Sequence, residues 1–172
     1  MKKLISLLAL CASSSAFAGN LYVGTSAGYL VDNEEGYYAA QFGYAFAPTG
    51  PIANHVEFEV GYTSEREYGI SGHIMPVMAN YRGVVPFGQS PVSAYFGAGL
   101  GGSNVRVSGY GWSDNSWGFT YQALAGLQYK ASETVSLTLG ARYINIDNVR
   151  LFGVDLDVGD DVSIEAGVRF RF

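Results

Sequence analysis

Charged side chains recur at every second position along otherwise apolar stretches: Glu57 and Glu59, Arg82, Arg142, Glu165, and Arg169. Carboxylates and guanidiniums spaced in this way share one face of an extended chain, where they can pair or line a polar path. Hairpin register predicts Glu57 opposite Arg82, Glu59 opposite Asn80 and Arg142 opposite Glu165, with Arg169 available from the last segment. Buried charges are costly unless paired, so mutual pairing is the expected arrangement. Exchange of partners would instead open a conduit. Acid–base or nucleophilic chemistry has a thinner basis. The two histidines are His55 and His73, and His73 has Ser71, Glu65 and Glu67 close by in sequence. Neighbours in sequence make no site without geometry, and a solvated loop histidine is the simpler reading. Asp155, Asp157, Asp160 and Asp161 form an acidic group without EF-hand spacing. No metal and no cofactor is expected.

A leader must be set aside before these groups can be placed. Met1-Lys2-Lys3 is basic, Leu4 to Ala12 is apolar, and Ala16-Phe17-Ala18 is a small-x-small cleavage site. That layout reads as a secretory signal peptide over 1–18, leaving one domain over 19–172. Cys11, the only cysteine, falls within the leader, where Leu10 is a poor neighbour for a lipoprotein anchor. Without Lys2 and Lys3 the domain carries eight basic residues against fifteen acidic ones, a balance that gives no electrostatic case for binding nucleic acid.

The elements that position the charges follow a period of two. Leu21, Val23, Ala27 and Tyr29 alternate with Tyr22, Gly24, Ser26 and Gly28. Tyr38, Ala40, Phe42 and Tyr44 oppose Tyr37, Gln41 and Gly43. Val56, Phe58, Val60 and Tyr62 oppose Glu57, Glu59, Gly61 and Thr63. Val77, Ala79 and Tyr81 oppose Met78, Asn80 and Arg82. Four cleaner segments follow, over 92–101, 119–129, 135–143 and 162–172. Each apolar face matches the ~9–11 residue tilted strand that crosses a bilayer. Pro76 should distort the fourth segment or delay its start.

The connections alternate between short turns (47–54, 84–91, 130–134) and longer polar stretches such as 103–116 and 148–161. An even number of strands with that asymmetry predicts an all-β, eight-stranded antiparallel up-and-down transmembrane β-barrel with both termini in the periplasm. A soluble barrel would place the apolar face inside. Here charges and glycines occupy the other face, and aromatics fall into two belts: Phe46, Tyr81, Tyr129, Phe170 and Phe172 at one end, Tyr29, Tyr38, Tyr62, Phe119, Tyr121 and Tyr143 at the other. The inward glycines should make room for Tyr22, Tyr37, Tyr95 and the arginine stems.

The Gly-rich segment Ala94 to Gly101, the segment Gln122 to Tyr129 with Gly126, and the last segment to Phe172 resemble small outer-membrane barrels of the OmpA/OmpX or opacity type. The resemblance covers nearly all of 19–172. It implies a Gram-negative outer-membrane location, contact with outer-membrane lipid, and a terminal aromatic signal (Phe170, Phe172) read by the outer-membrane assembly machinery. OmpA also carries a peptidoglycan-binding domain that has no counterpart in this sequence. The expected role is non-enzymatic: a structural or surface-interaction barrel with paired charges plugging its lumen. A porin-like small-solute channel is the alternative, and a lipid-modifying enzyme the next. Binding to an extracellular partner would use the loops, through Tyr110, Trp112, Asp155 and Asp157, each loop otherwise a solvated hairpin.

Overall fold

The computed structural model describes residues 20–172 apart from 49, 68, 69 and 110, and the side chains of 66 and 67 are also outside the description. The leader expected over 1–18 lies outside the described residues. Eight long strands follow the alternating segments: β1 (Leu21–Leu30), β2 (Glu35–Ala45), β3 (Ala53–Glu67), β4 (Ile70–Pro86), β5 (Val92–Gly109), β6 (Trp112–Lys130), β7 (Val135–Ile146) and β10 (Gly159–Arg171). A short hairpin, β8 (Val149–Leu151) and β9 (Val154–Leu156), is inserted before the last of them. Each long strand pairs antiparallel with its neighbours, and β10 closes the barrel against β1.

Which face points inward is decided by burial. Glu57 and Glu59 are 2% and 1% exposed, whereas Phe58 between them is 52% exposed. Leu139 and Ile164 are 60% exposed on the same outer surface. An apolar exterior around a charged interior inverts the soluble barrel, and lipid is the solvent that suits it. Following ladder partners once around, from Arg169 through Gly24, Gln41, Glu59, Met78, Gly101, Thr120 and Ile146, returns to β10 at Gly159, ten residues away. That stagger tilts the strands by roughly 35–45° and leaves an interior just wide enough for side chains.

The register differs from the expected one. Glu57 lies opposite Asn80, Glu59 opposite Met78 and Arg82 opposite His55; Arg142 lies opposite Ser163 and Glu165 opposite Gly140. Each hairpin turns one residue earlier than expected, which slides its pairing by two. A slip of two keeps every side chain on its face. The charges therefore stay inside.

Pro76 does not delay β4, which starts at Ile70. Its effect is local: the β3–β4 ladder is interrupted between Val60↔Val77 and Thr63↔Ile74, while the β4–β5 ladder continues through Pro76↔Ser103. The absent N–H is thus taken by one neighbour alone. Strands β3 to β6 span 15, 17, 18 and 19 residues, well beyond the ~9–11 needed to cross lipid. Their excess stands at the outer end, opposite the chain termini, and raises one side of the rim.

The inward glycines meet the rings expected of them. A side chain at Gly43 would strike Tyr22, at Gly61 Tyr37, and at Gly126 or Gly140 Tyr95. At Gly140 it would also strike the Ala125 carbonyl oxygen, which belongs to the ladder and cannot swing away. Gly140→Ala should lower the unfolding free energy by about 1–3 kcal/mol, read as a shift of the urea midpoint between folded and unfolded gel bands. Gly72→Ala, into open space, should stay within about 0.5 kcal/mol. Equal losses at both positions would refute this packing.

Candidate functional site

The interior charges form two levels. At the level nearer the termini, Arg169 on β10 donates to Glu57 on β3 through Nη1 at 2.5 Å and Nη2 at 3.3 Å, and the Tyr22 hydroxyl donates to Glu57 at 2.7 Å. Arg82 approaches Glu57 at 3.9 Å, lies 3.5 Å over the Tyr95 ring and donates to Gln128 at 3.3 Å. His55 faces the same space, with Nδ1 3.3 Å from the Tyr22 hydroxyl. The ion pair expected between Glu57 and Arg82 therefore forms diagonally, and Glu57 has Arg169 as its closer partner.

The second level is centred on Arg142 of β7. Its Nε donates to Glu165 at 2.5 Å and its Nη2 to Glu165 and Glu59, both at 3.1 Å. Nη1 donates to Glu59 and, at 2.5 Å, to Gln122 Oε1. Glu59 stands on β3, so this guanidinium bridges opposite walls of the barrel. Gln122 in turn donates to Asn80 at 2.8 Å, and Gln41 to Glu59 and Ser26, both at 3.2 Å. Ser26 and Ser163 donate to Glu165 at 3.1 and 2.8 Å. All seven residues expected in the interior network are there. Glu59 nevertheless pairs with Arg142 rather than meeting Asn80 across the ladder. The polar supports Tyr22, Gln41, Gln122 and Ser26 were legible only as residues of the inward parity.

Above this level the interior becomes mainly apolar, although Asp161 is buried beside it, accepting from the Asp32 and Asn33 amides. Leu30, Val105, Ile144, Ile146, Val149 and Leu151 pack together, with Val149 and Leu151 at 2% and 1% exposure. The loop 148–161, expected to be solvated, instead inserts β8 into the outer mouth. Alternation explains the insertion: Val149 and Leu151 face inward, and Arg150 between them faces out. Among the described residues, cavities of about 130 Å³ at the inner mouth, 30 Å³ among the charges and 40 Å³ beneath the outer cap lie along the interior.

At the outer tip the two loops with candidate binding residues meet. Trp112 packs edge-on against Phe152 with ring centroids 5.0 Å apart, and Asp114 accepts the Phe152 amide at 2.6 Å. Phe152 (φ 52) and Gly153 (φ 77) form the tight left-handed turn of the β8–β9 hairpin. Asp155 faces Arg150 at 3.9 Å, both largely solvated, and Asp157 is exposed. Tyr110 lies outside the described residues. Phe170 and Phe172 are 45% and 47% exposed on the outer surface near the termini, and the Phe172 amide donates to Leu21 at 3.0 Å. At an inner turn Lys130 donates to Glu133 at 2.8 Å, and that hydrogen bond holds the Glu133 carboxyl below its usual range.

The group around His73 is split by the sheet. His73 meets the Tyr62 hydroxyl at 3.0 Å on the outward face, whose parity Ser71 shares, whereas Glu65 has the inward parity. Among the described residues no three His, Cys, Asp or Glu side chains gather as a metal ion requires.

The family model of the outer membrane protein beta-barrel domain matches residues 4–172. Among solved structures, the chain resembles Neisserial surface protein A with a TM-score of 0.66 at 21% identity, covering 88% of this chain and 97% of that one. It resembles the attachment invasion locus protein Ail of Yersinia pestis with a TM-score of 0.58 at 17% identity, covering 90% and 99%. It also resembles the outer membrane enzyme PagL with a TM-score of 0.54 at 14% identity, covering 88% and 99%. At these identities the likeness is one of fold. No curated protein matches the sequence.

Proposed function

The chain belongs to the outer membrane protein β-barrel domain family and resides in the bacterial outer membrane, and on that premise we propose a non-enzymatic, closed scaffold that presents its outer hairpins at the cell surface. The observation that carries this reading is Arg142, whose guanidinium ties Glu59 on one wall to Glu165 on the other across the middle of the lumen. The apolar cap above it, with Val149 and Leu151 inserted, supports the same reading. An ion entering from the periplasm would have to displace a matched pair and then cross a desolvated layer.

The separation of His73 from Glu65 by the sheet favours a non-enzymatic role, since a base and its carboxylate must share a face to act together. Outer-membrane lipid covers the apolar belt, the assembly machinery reads the last strand with Phe170 and Phe172, and any extracellular partner meets the hairpins. The acidic domain offers nucleic acid no surface.

In planar bilayers the folded protein should give no unitary conductance steps, and neither should Arg142→Gln. Steps from either protein would replace this reading with the porin-like channel, for which the 130 Å³ inner-mouth cavity is the natural entrance. Lipid A of unchanged mass after expression is the matching expectation for the non-enzymatic role.

A further inference from the structure

Charge is distributed very unevenly along the barrel axis. Of the fifteen acidic residues, Glu57, Glu59 and Glu165 belong to the interior network and Glu133 is at the inner end, which leaves eleven toward the outer end, with Asp161 among them buried in the mouth. Of the eight basic residues after the leader, Arg82, Arg142 and Arg169 are interior and Lys130 and Arg171 are at the inner end. That leaves Arg66, Arg106 and Arg150 outside. That network is balanced, so the outer end carries the whole acidic excess of the domain. A surface of one sign raises the local concentration of oppositely charged partners and repels like ones.

The same end bears an apolar strip that lipid does not cover. Phe152, Val154 and Leu156 are 56%, 60% and 44% exposed, and Trp112 beside them is 40% exposed. They stand on the β8–β9 hairpin among the solvated side chains of Arg150, Asp155 and Asp157, not in the belt around the barrel. Register places Leu156 opposite Val149 and Val154 opposite Leu151. The two β8 residues are buried in the mouth; their β9 partners, on the same face, are left uncovered. Among the described residues β9 pairs with β8 alone, which leaves its other edge an unpaired strand edge. The strip is also held in place, through the Asp114 bond to the Phe152 amide and the Trp112 ring, so a partner would not have to order it on binding.

We propose that this tip is a docking surface for a cationic, amphipathic polypeptide segment, its apolar side chains against Phe152, Val154 and Leu156 and its positive charges toward the surrounding carboxylates. The inference rests on the reading of the outer hairpins as the working surface and names the chemistry of their partner. A second copy of this chain, or an anionic glycolipid, would set negative charge against negative charge. A cationic segment relieves that repulsion, and complementarity of this kind governs association rate and choice of partner.

The test uses the folded full barrel in nanodiscs of zwitterionic lipid, with Trp117→Phe so that Trp112 is the remaining tryptophan reporter. The probe is a synthetic peptide of alternating Lys and Leu, and the comparison a peptide of the same length alternating Glu and Leu. The Lys peptide should shift Trp112 emission saturably. Asp155→Asn with Asp157→Asn, or Val154→Ser with Leu156→Ser, should weaken that binding about tenfold, as should raising salt from about 0.05 to 0.5 M. These positions are exposed, and the heat-modifiable gel shift should be unchanged. Equal binding of the Glu peptide, undiminished binding by both variants, or no binding of the Lys peptide would overturn the proposal. So would a concentration-dependent dimer lost in Val154→Ser with Leu156→Ser, which would make the strip a self-interface. Conductance steps would defeat the closed-scaffold reading and leave the peptide result standing; a silent bilayer with no peptide binding would defeat the docking proposal alone.

Discussion

Replacing Arg142 with methionine should cost the folded barrel about 3–5 kcal/mol of unfolding free energy, because it leaves two buried carboxylates without their cation. Glu59 and Arg142 side chains are 1% and 4% exposed and Glu165 is 11% exposed, so water cannot take over the lost contacts. The side-chain volume is nearly kept, so packing contributes little to the loss. Gln122, Gln41 and the two serines still donate to the carboxylates, but neutral donors do not offset a buried negative charge. The companion variant separates charge from structure. With Glu59→Gln and Glu165→Gln added to Arg142→Met, the site is uncharged, and most of the stability should return. Both are read from urea titrations of heat-modifiable migration in lipid vesicles. A loss under about 1 kcal/mol for Arg142→Met alone would mean that the bridge across the lumen does not hold the walls together.

The same network shows how far the sequence could be read. Period-two alternation identified the barrel and assigned Glu57, Glu59, Arg82, Arg142, Glu165 and Arg169 to one face, because parity survives any error of pairing by two. Partners did not survive it. A turn centred one residue away moved Glu57 from Arg82 to Asn80 across the ladder. Long guanidinium side chains then restored the ion pairs diagonally or across the lumen, which ladder arithmetic between neighbouring strands cannot express. Arg142 meeting Glu59 is a contact between β7 and β3, and only barrel closure brings those strands face to face.

The apolar cap was the larger omission, although its signal was present. Ile144 continues the inward parity of Arg142, and Leu30 that of Tyr22, so apolar residues replace polar ones on the inner face toward the outer end. Alternation read only for its lipid-facing residues overlooks that change. Val149 and Leu151 looked like loop residues because they fall within the polar stretch 148–161. What buries them is a tertiary fact, the space left at the outer mouth above Ile144 and Ile146.

Leu151→Ala should therefore expose the hairpin to trypsin long before it unfolds the barrel. Among the described residues the β8–β9 hairpin has no ladder to any barrel strand, so it is held down by packing and by the Asp114 and Trp112 contacts, and it can open while the eight-stranded closure remains. Truncating a leucine that is 1% exposed removes about 2–5 kcal/mol of packing where the site cannot collapse. If the lid takes even the lower part of that range, the population of its open form rises about 30-fold, at 1.4 kcal/mol per factor of ten, and cleavage tracks that population when closing is fast. The chain supplies its own reporter. Arg150 lies between the two buried residues, with its side chain 72% exposed but its backbone held by the cap. Trypsin should nick after Arg150 in the variant about 30-fold faster than in the wild type, while the urea midpoint of the barrel moves by under about 1 kcal/mol. If cleavage is unchanged and the midpoint falls by the full amount, the hairpin is not a lid that opens by itself but part of the cooperative core of the barrel.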